Sequence, residues 1–220
     1  MSSPACFHFI EWVNAMKIAA VSRRRRSLYR LEFEDGTTLD VDVRTLDESP
    51  YREGADLTEE QLNILLTTSQ HNRARERALY LLGLRDYGCK ELEKKLLTEA
   101  PPEIAAAVVA RLQEVGLLDD ERFAARLARS LSETKHYPRR RIEQELRHRG
   151  ISHGLIQTVV SELEGEDYEQ ALAILERKYY NKLKDPDSRR RVIAALARRG
   201  FSYGAIRRAM DEMGAPDDEE

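Results

Sequence analysis

The sequence is poor in the residues from which metal sites and catalytic centres are usually built. Its 220 residues include only two cysteines, Cys6 and Cys89, and five histidines. Neither a CxxC pair nor an HExxH motif occurs, and the histidines show no ligand spacing, so no metal site is predicted. A GxxxxGK[ST] phosphate-binding loop, a GxGxxG dinucleotide motif and a GxSxG nucleophile motif are also missing. We therefore expect a protein that is not an enzyme and needs no cofactor.

Long hydrophobic runs and a leader segment are missing as well. No apolar run approaches the ~20 residues that a bilayer-spanning helix needs, and residues 1–15 lack the basic segment of a signal peptide. Because the two distant cysteines are most simply interpreted as free thiols, these absences favour a cytoplasmic protein. Met16 offers an alternative start, so residues 1–15 are interpreted as an N-terminal extension that is either poorly ordered or an artefact of start assignment.

Charge is abundant in this chain and unevenly distributed. Charged residues make up 34% of the chain and hydrophobic residues 41%, which favours slim, heavily charged helices over one thick core. Residues 189–208 hold seven arginines and no acid, whereas residues 209–220 hold six acids. A basic block beside an acidic tail is typical of a nucleic-acid-binding surface with an electrostatic competitor. For residues 214–220 alone, a solubilising tail is the simpler interpretation.

A strand-like pattern occurs near the start of the chain, within residues 16–55. Apolar residues from Leu31 to Val43 alternate with acids on either side of Asp35-Gly36, which predicts a β-hairpin. Residues 18–22 supply a third strand. The result is a small three-stranded module whose one apolar face needs a cover.

Helical periodicity takes over after this module. The first predicted helix is a connecting helix within residues 56–72, which begins at a capping box formed by Thr58 and Gln61. Its leucines recur at helical spacing, so it is the nearest candidate to cover the apolar face of the sheet.

From residue 73 onward the chain repeats one pattern with a period of fifty residues. GISHGLI at 150–156 is echoed by GFSYGAI at 200–206, and RRRI at 139–142 is echoed by RRRV at 189–192. A period this long indicates an array of one supersecondary unit, which usually binds an extended partner. The predicted fold is mainly α, with three tandem three-helix repeats after the β module. The repeats cover residues 73–118, 119–164 and 165–213.

Two arginine triplets at this repeat offset mark the candidate binding surface. On a helical wheel, Ile142 and Leu146 define the buried side of the second-repeat helix, and most of its basic residues point away from that side, with Arg139 at the seam. Arginines at a helix N-terminus face an unfavourable dipole, which costs about 0.3–1 kcal/mol per exposed charge and which an anionic partner would reverse. The alternative is a solvated face with local pairs such as Glu143 with Arg147. For two triplets at one offset, a binding role has at least equal support. The predicted partner-binding residues are Arg140, Arg141 and Arg147 in the second repeat, Arg190, Arg191 and Arg198 in the third, and more weakly Arg85, Lys94 and Lys95 in the first.

Three ordered sequence blocks resemble the RecX family of recombination regulators. Residues 84–96 (LRDYGCKELEKKL) resemble its first conserved block, residues 116–123 (GLLDDERF) its second, and residues 139–151 (RRRIEQELRHRGI) its third. The resemblance extends over residues 73–213. It departs from the family pattern at Tyr137-Pro138, where a glycine commonly precedes the basic helix. The β module resembles an N-terminal extension that only some members have.

The resemblance carries implications that the residue patterns alone do not. It implies three tandem three-helix repeats in an elongated, curved molecule that binds in the helical groove of the RecA–DNA filament. There the protein would restrain the ATPase, strand-exchange and co-protease activities of RecA and favour filament disassembly, modulating recombination, DNA repair and the SOS response. The expected partners are the RecA nucleoprotein filament and, weakly on its own, the backbone of single- or double-stranded DNA. We expect a monomer with no membrane partner.

Two other functions fit the same residues. Three-helix units with basic helices permit a stand-alone helix-turn-helix DNA-binding regulator, which would bind duplex in a sequence-dependent way without RecA. Arginine-rich faces with little Asn or Gln suit backbone contact better than base readout. A helical scaffold that binds only protein is the third possibility. Whether the arginine faces contact RecA, DNA or both stays open at this point.

Overall fold

The computed structural model describes residues 16–25, 27–183 and 185–214, and it is mostly helical with a small N-terminal sheet, as predicted. The predicted N-terminal extension, Cys6 and most of the predicted acidic tail lie outside the described residues. The strands are β1 (Met16–Arg25), β2 (Leu28–Phe33), β3 (Thr38–Asp42) and β4 (Asp56–Leu57). The α-helices are α1 (Val43–Glu48), α2 (Glu59–Leu84), α3 (Cys89–Leu96), α4 (Pro102–Glu114), α5 (Asp120–Glu133), α6 (Arg139–His148), α7 (His153–Ser161), α8 (Asp167–Ile174), α9 (Pro186–Arg198) and α10 (Tyr203–Glu212).

The chain divides into two compact units. Among the described residues, one unit contains those from Met16 to Leu84 together with Glu93–Arg111, and the other contains Arg85–Leu92 and those from Leu112 to Gly214. The first unit holds the sheet, and the second holds the whole of repeats two and three. None of the helices in the described residues combines the length and the apolar character of a membrane-spanning segment.

The predicted hairpin is confirmed. Strands β2 and β3 pair antiparallel, from Leu28 opposite Asp42 to Glu32 opposite Thr38. At the turn, Gly36 adopts a φ of +82°, a left-handed conformation that suits glycine. The Asp35 carboxylate closes the turn by accepting hydrogen bonds from the backbone N–H and the hydroxyl of Thr37.

The sheet has four antiparallel strands in the order β3-β2-β1-β4, so the prediction of three strands was incomplete. Strand β4 has two residues, which is too short for an alternating pattern. Val43 was predicted to continue the hairpin, but it is the first residue of helix α1. The reason is local: the Asp42 carboxylate accepts a hydrogen bond from the Thr45 N–H and caps the helix.

Helix α2 covers the sheet, as predicted. It begins at the expected capping box, in which Thr58 N–H donates to Gln61 Oε1 at 2.9 Å and Gln61 N–H donates to Thr58 Oγ1 at 3.2 Å. Further along, the Ser69 hydroxyl accepts the Asp42 N–H at 2.7 Å. The helix then continues without a break to Leu84, so the connecting helix and the first helix of repeat one are a single element. The buried residues of this core are Ile18, Leu31, Phe33, Val41, Leu46, Leu57 and Leu65.

The hydrophobic positions that the fifty-residue period predicts are all buried. Each of the second and third repeats has its own core, assembled from its first, middle and last helices. Ser152 and Ser202 cap the last helices, α7 and α10, as the sequence predicts. The equivalent buried side chains are Leu92, Ile142 and Val192 at one position and Leu96, Leu146 and Leu196 at the next.

The start of repeat three departs from the predicted plan. Helix α8 ends at Ile174 and is followed by a π-helical turn, Leu175–Tyr179, and a 3-10 turn, Tyr180–Lys182. π-helical turns are rare and frequently lie at functional sites. This one places two basic side chains, Arg177 and Lys178, beside the end of α9.

Candidate anion-binding surface

The middle helices of repeats one and two are each capped by the repeat that follows in the chain. The first residue of α5, Asp120, accepts the backbone N–H of Cys89, the first residue of α3, at 2.8 Å. The first residue of α8, Asp167, accepts the N–H of Arg139, the first residue of α6, at 2.9 Å. Both aspartates therefore cap a helix from a distant part of the chain. Since α6 is preceded by Pro138, which supplies no side-chain cap, Asp167 provides its cap.

Glycine allows the close approach at these junctions. Gly150 ends α6 with a φ of +83°, and a Cβ added there would lie 2.7 Å from the Cβ of Lys90 in α3. Gly200 ends α9, and its added Cβ would lie 3.5 Å from the Cβ of Arg141 in α6. The ends of α6 and α9 thus pack against the starts of α3 and α6, the middle helices one repeat earlier.

The three arginines that open α6 have three different environments. The Arg139 guanidinium donates to the carbonyls of Val160, Leu163 and Gly165 at 2.7–3.1 Å and so caps the end of α7. Arg139 is therefore a structural residue. Arg140 is exposed.

Arg141, which was predicted to point outward, has a side chain that is 42% exposed and also makes contacts within the protein. Its guanidinium pairs with Glu145 at 2.8 Å, and it lies 5.7 Å from the centre of the Tyr137 ring. Arg147, at the other end of α6, is exposed and lies 4.0 Å from Glu143, the local pair that the sequence suggests. Of the predicted set on this helix, Arg140 and Arg147 are the more accessible side chains.

The arginine triplet of α9 also has its first member turned inward. Arg189, the counterpart of Arg139, is only 6% exposed, whereas Arg190, Arg191 and Arg198 are exposed. The Asp185 carboxylate caps the helix by accepting the Ser188 N–H at 2.8 Å. Hydrogen bonding by the Ser188 side chain and then by its N–H, together with the charges of Arg191 and Arg189, holds the pKa of Asp185 below its usual value.

The aspartate caps reduce the unfavourable interaction between the arginines and the helix dipole at the starts of α6 and α9. Asp167 and Asp185 place carboxylates at the starts of α6 and α9, where they offset the dipole and the arginine charges. An external anion is therefore not needed to explain arginines at these helix starts. Binding by these helices is supported instead by the exposure of Arg140, Arg147, Arg190, Arg191 and Arg198.

The three predicted partner-binding residues of repeat one differ in how accessible they are. Arg85 is engaged within the protein: it donates to Glu91 at 2.7 Å and stacks on the Tyr87 ring at 3.6 Å. The hydrogen bond to the Glu91 carboxylate raises the pKa of the Arg85 guanidinium, as expected for an ion pair. Lys94 and Lys95 are exposed in the last turn of α3. We therefore rank the two lysines above Arg85 as partner-binding candidates.

The structure also brings together basic residues from different elements, which a helical wheel of one helix cannot relate to each other. Arg141 of α6 and Arg198 of α9 line one cleft between the second and third repeats. Four further cationic side chains, absent from the predicted set, join them there. They are Lys135, Arg177, Lys178 and Arg199. A sequence signal for this cleft exists at the repeat offset, where Arg141 replaces Glu91 of repeat one.

Metal-binding and thiol chemistry have no evident place in this surface. No cluster of potential metal ligands occurs among the described residues. Cys89 is a free, buried cysteine. Burial raises the pKa of its thiol to about 12, and the Asp120 carboxylate adds to the effect, so the thiol is protonated at neutral pH.

Comparison with known proteins assigns each repeat to the same family. The family models described as the first, second and third three-helix domains of RecX match residues 74–112, 119–160 and 165–210. The regulatory protein RecX of Trichlorobacter lovleyi is 38% identical over 105 residues, which are 46% of this chain and 68% of that protein. Its counterpart from Halorhodospira halophila is 40% identical over 106 residues, covering 48% of this chain and 65% of that protein.

Solved structures agree on the fold. A crystal structure of regulatory protein RecX superposes with a TM-score of 0.59 at 23% identity, covering 89% of this chain and 99% of that one. The structure of RecX from Lactobacillus salivarius gives a TM-score of 0.58 at 18% identity, covering 67% of this chain and 98% of that one. Three matched domains in order, together with relatives of this identity, show that the chain belongs to the RecX family of regulatory proteins.

Proposed function

We propose that this protein is a non-catalytic regulator that binds the RecA–DNA filament along its helical groove. Binding there inhibits the ATPase, strand-exchange and co-protease activities of RecA and so modulates recombination and DNA repair. The observation that carries the proposal is that all three helical repeats match RecX domains. The two complete repeats of the second unit each present exposed arginines on their middle helix.

The exposed arginines supply the proposed contacts. Arg140 and Arg147 project from α6, and Arg190, Arg191 and Arg198 project from α9. Guanidinium groups bind carboxylates and phosphates through paired hydrogen bonds, so either acidic filament protein or DNA backbone suits them. Arg141 is a lesser contact because Glu145 already pairs with it. Lys94 and Lys95 would extend the contacts to repeat one, with Arg85 again weaker.

The proposal places the protein in the cytoplasm, where RecA filaments form, and treats it as a monomer. A repeat array gains affinity from several modest contacts along an extended partner rather than from one deep pocket. We therefore expect inhibition at less than one protein per RecA subunit. No cofactor or metal enters the proposed activity.

The decisive experiment is RecA ATPase on single-stranded DNA, titrated with this protein. We expect the rate to fall at stoichiometric or lower ratios, because each bound molecule contacts several filament subunits. Full ATPase activity at equimolar protein would contradict the proposal. Sequence-specific binding to duplex DNA without RecA would instead support a helix-turn-helix regulator.

A further inference from the structure

The cleft between repeats two and three is strongly cationic. It encloses about 460 Å³, and six of the residues that line it are Lys or Arg. No Asp or Glu lines it within the described parts of the chain. The basic lining residues are Lys135, Arg141, Arg177, Lys178, Arg198 and Arg199.

Three segments of the second unit build the walls. The loop between α5 and α6 supplies Lys135, the π-helical turn after α8 supplies Arg177 and Lys178, and the end of α9 supplies Arg198 and Arg199. A side-chain contact between His136 Nδ1 and Gln170 Oε1, at 3.0 Å, ties the loop to α8. The close approach of Gly200 to α6 holds the end of α9 in place. The basic groups are therefore held together by packing.

The equivalent junction between repeats one and two differs from this cleft in its charge. In that junction, Arg149 at the end of α6 pairs with Glu91 of α3 at 3.4 Å. One repeat later, Arg199 takes the place of Arg149, and Arg141 takes the place of Glu91. An ion pair at the first junction therefore corresponds to two positively charged residues, Arg141 and Arg199, at the second.

Little within the protein compensates these charges. Glu145 pairs with Arg141 at 2.8 Å. No carboxylate among the described residues forms an ion pair with the other five cations of the cleft. Like charges held at short range repel one another, and a bound anion would relieve that repulsion.

The chemistry of the lining favours nucleic acid over protein as the source of the anion. Protein–protein interfaces have apolar centres, whereas protein–nucleic acid interfaces are more polar and much more positively charged. Among the described residues that line the cleft, Ile174 and Tyr137 are the only large apolar side chains, and Ile174 is only 2% exposed. The Tyr137 ring also offers a face on which a base can stack, as in single-strand-binding proteins. A volume of about 460 Å³ exceeds that of a single phosphate group.

We propose that this cleft binds successive phosphates of a single-stranded nucleic acid backbone. The inference rests on the proposed function for its biological setting, but it concerns binding that occurs without RecA. It also assigns a role to Lys135, Arg177, Lys178 and Arg199, which the arginine faces do not include. The strand enters the cleft with its phosphates toward the guanidinium and ammonium groups and one base against Tyr137.

The test uses the full chain without RecA. Binding of a fluorescent oligo-dT is followed by anisotropy between about 50 and about 200 mM salt. The test variant is Arg177→Gln with Lys178→Gln, both at exposed positions. The matched control is Arg75→Gln with Arg77→Gln, which removes the same charge from exposed positions of α2. Lys135→Gln, on another wall, serves as an independent second variant.

We expect the test variant to bind oligo-dT about ten-fold more weakly and to lower the salt slope by about 1.4, the loss of two single-strand phosphate contacts. Lys135→Gln should weaken binding about three-fold, and the control should stay within about two-fold of the wild type. Equal loss in test and control variants would overturn the proposal, as would unchanged binding in both cleft variants. Thermal melting by circular dichroism verifies that each variant folds.

Competition distinguishes a strand from a small anion as the ligand. Unlabelled oligo-dT should displace the fluorescent strand at a far lower phosphate concentration than inorganic pyrophosphate does, because linked phosphates of one strand occupy the cleft together. Equal displacement per phosphate by pyrophosphate would overturn strand binding in favour of a small-anion site. If RecA ATPase is unaffected while oligo-dT binding depends on the cleft, the proposed function fails and this inference stands. The reverse pattern overturns this inference alone.

Discussion

Glu91 of α3 pairs with Arg149 at the end of α6, 3.4 Å away and fifty-eight residues later in the chain. The Glu91 carboxylate also accepts a hydrogen bond from the Arg85 guanidinium at 2.7 Å. Although burial raises the pKa of Glu91, the two arginines outweigh that effect and hold the pKa below its usual value. One carboxylate thus joins the start of the middle helix of repeat one to the end of the middle helix of repeat two.

Replacing Glu91 should weaken this junction. We expect Glu91→Gln to lower the free energy of unfolding by about 1–2 kcal/mol at neutral pH, because Arg149 and Arg85 lose a largely buried ionic partner. The lowered pKa means that the stabilisation exists above the unfolded carboxyl pKa of about 4.3 and disappears as pH falls through the folded pKa.

Urea denaturation at several pH values measures this effect. The difference between wild type and Glu91→Gln should shrink toward acid pH. The neighbouring variant Glu93→Gln is the control and should be close to wild type at every pH. A constant difference across the pH range would contradict an ionic role for Glu91.

Two substitutions at Asp167 should distinguish the effect of its hydrogen bond to α6 from the effect of its negative charge. Asp167→Ala removes the acceptor for the Arg139 N–H and should cost about 1 kcal/mol of stability, within the 0.5–2 kcal/mol range of helix caps. Asp167→Asn keeps a good acceptor and should lose much less. Equilibrium unfolding of both variants, with the exposed Glu164→Gln as control, tests this. Equal losses for Ala and Asn would show that charge, and not the hydrogen bond, is what matters.

The thiol of Cys89 should be chemically silent in the folded protein. Burial, assisted by Asp120, raises its pKa to about 12, so almost no thiolate exists at about pH 8. In a Cys6→Ala background, we expect iodoacetamide to label Cys89 far more slowly in buffer than in denaturing urea. Rapid labelling of the folded protein would contradict the buried, protonated thiol.

The same pKa shift gives a pH dependence of stability with a defined sign. The folded state holds the thiol proton more tightly than the unfolded state, so the stabilisation is complete below the unfolded pKa near 9.0 and is lost as pH rises toward about 12. In the Cys6→Ala background, a further Cys89→Ala change should remove this component of the alkaline dependence. An identical alkaline slope in the two proteins would argue against it.

The arginine face of α6 should carry part of the RecA inhibition. Reversing Arg140 and Arg147 to Glu should weaken inhibition of RecA ATPase about ten-fold or more, since attraction to an anionic partner becomes repulsion. Including Arg141→Glu should add less, because its present partner is Glu145. Helicity should be retained.

The matched control is Arg122→Glu with Arg129→Glu, at exposed positions of α5 in the same repeat. Circular dichroism checks the fold of every variant, and ATPase titrations at several salt concentrations provide the comparison. Unchanged inhibition by Arg140→Glu with Arg147→Glu at all salt concentrations would remove α6 from the interface.

Elements defined by short-range patterns were predictable. The hairpin follows from alternation around Asp35-Gly36, and the start of α2 follows from the Thr58–Gln61 capping box, because each pattern acts within a few residues. Strand β4 was missed because two residues carry no periodicity. Helix α1 was missed because a single cap at Asp42 ends the strand pattern abruptly.

Within the arginine triplets, the helical wheel separated buried from exposed positions and no more. It placed Ile142 and Leu146 inside correctly. It could not distinguish Arg139, which caps α7, from Arg140, which is free to meet solvent, since those α7 carbonyls lie more than twenty residues away. It also gave Arg141 the same status as Arg140, although Arg141 pairs with Glu145 and lies beside the Tyr137 ring.

Local sequence thus accounts for the number of helices in each complete repeat, their buried faces and the fifty-residue period, because periodicity and capping act over a few residues. Tertiary packing determines which charged side chains of different helices form ion pairs. The exchange of Glu91 for Arg141 is visible in the sequence, but its consequence depends on how the end of one helix meets the start of another. Only that packing converts a paired junction between the first two repeats into a cationic cleft between the last two.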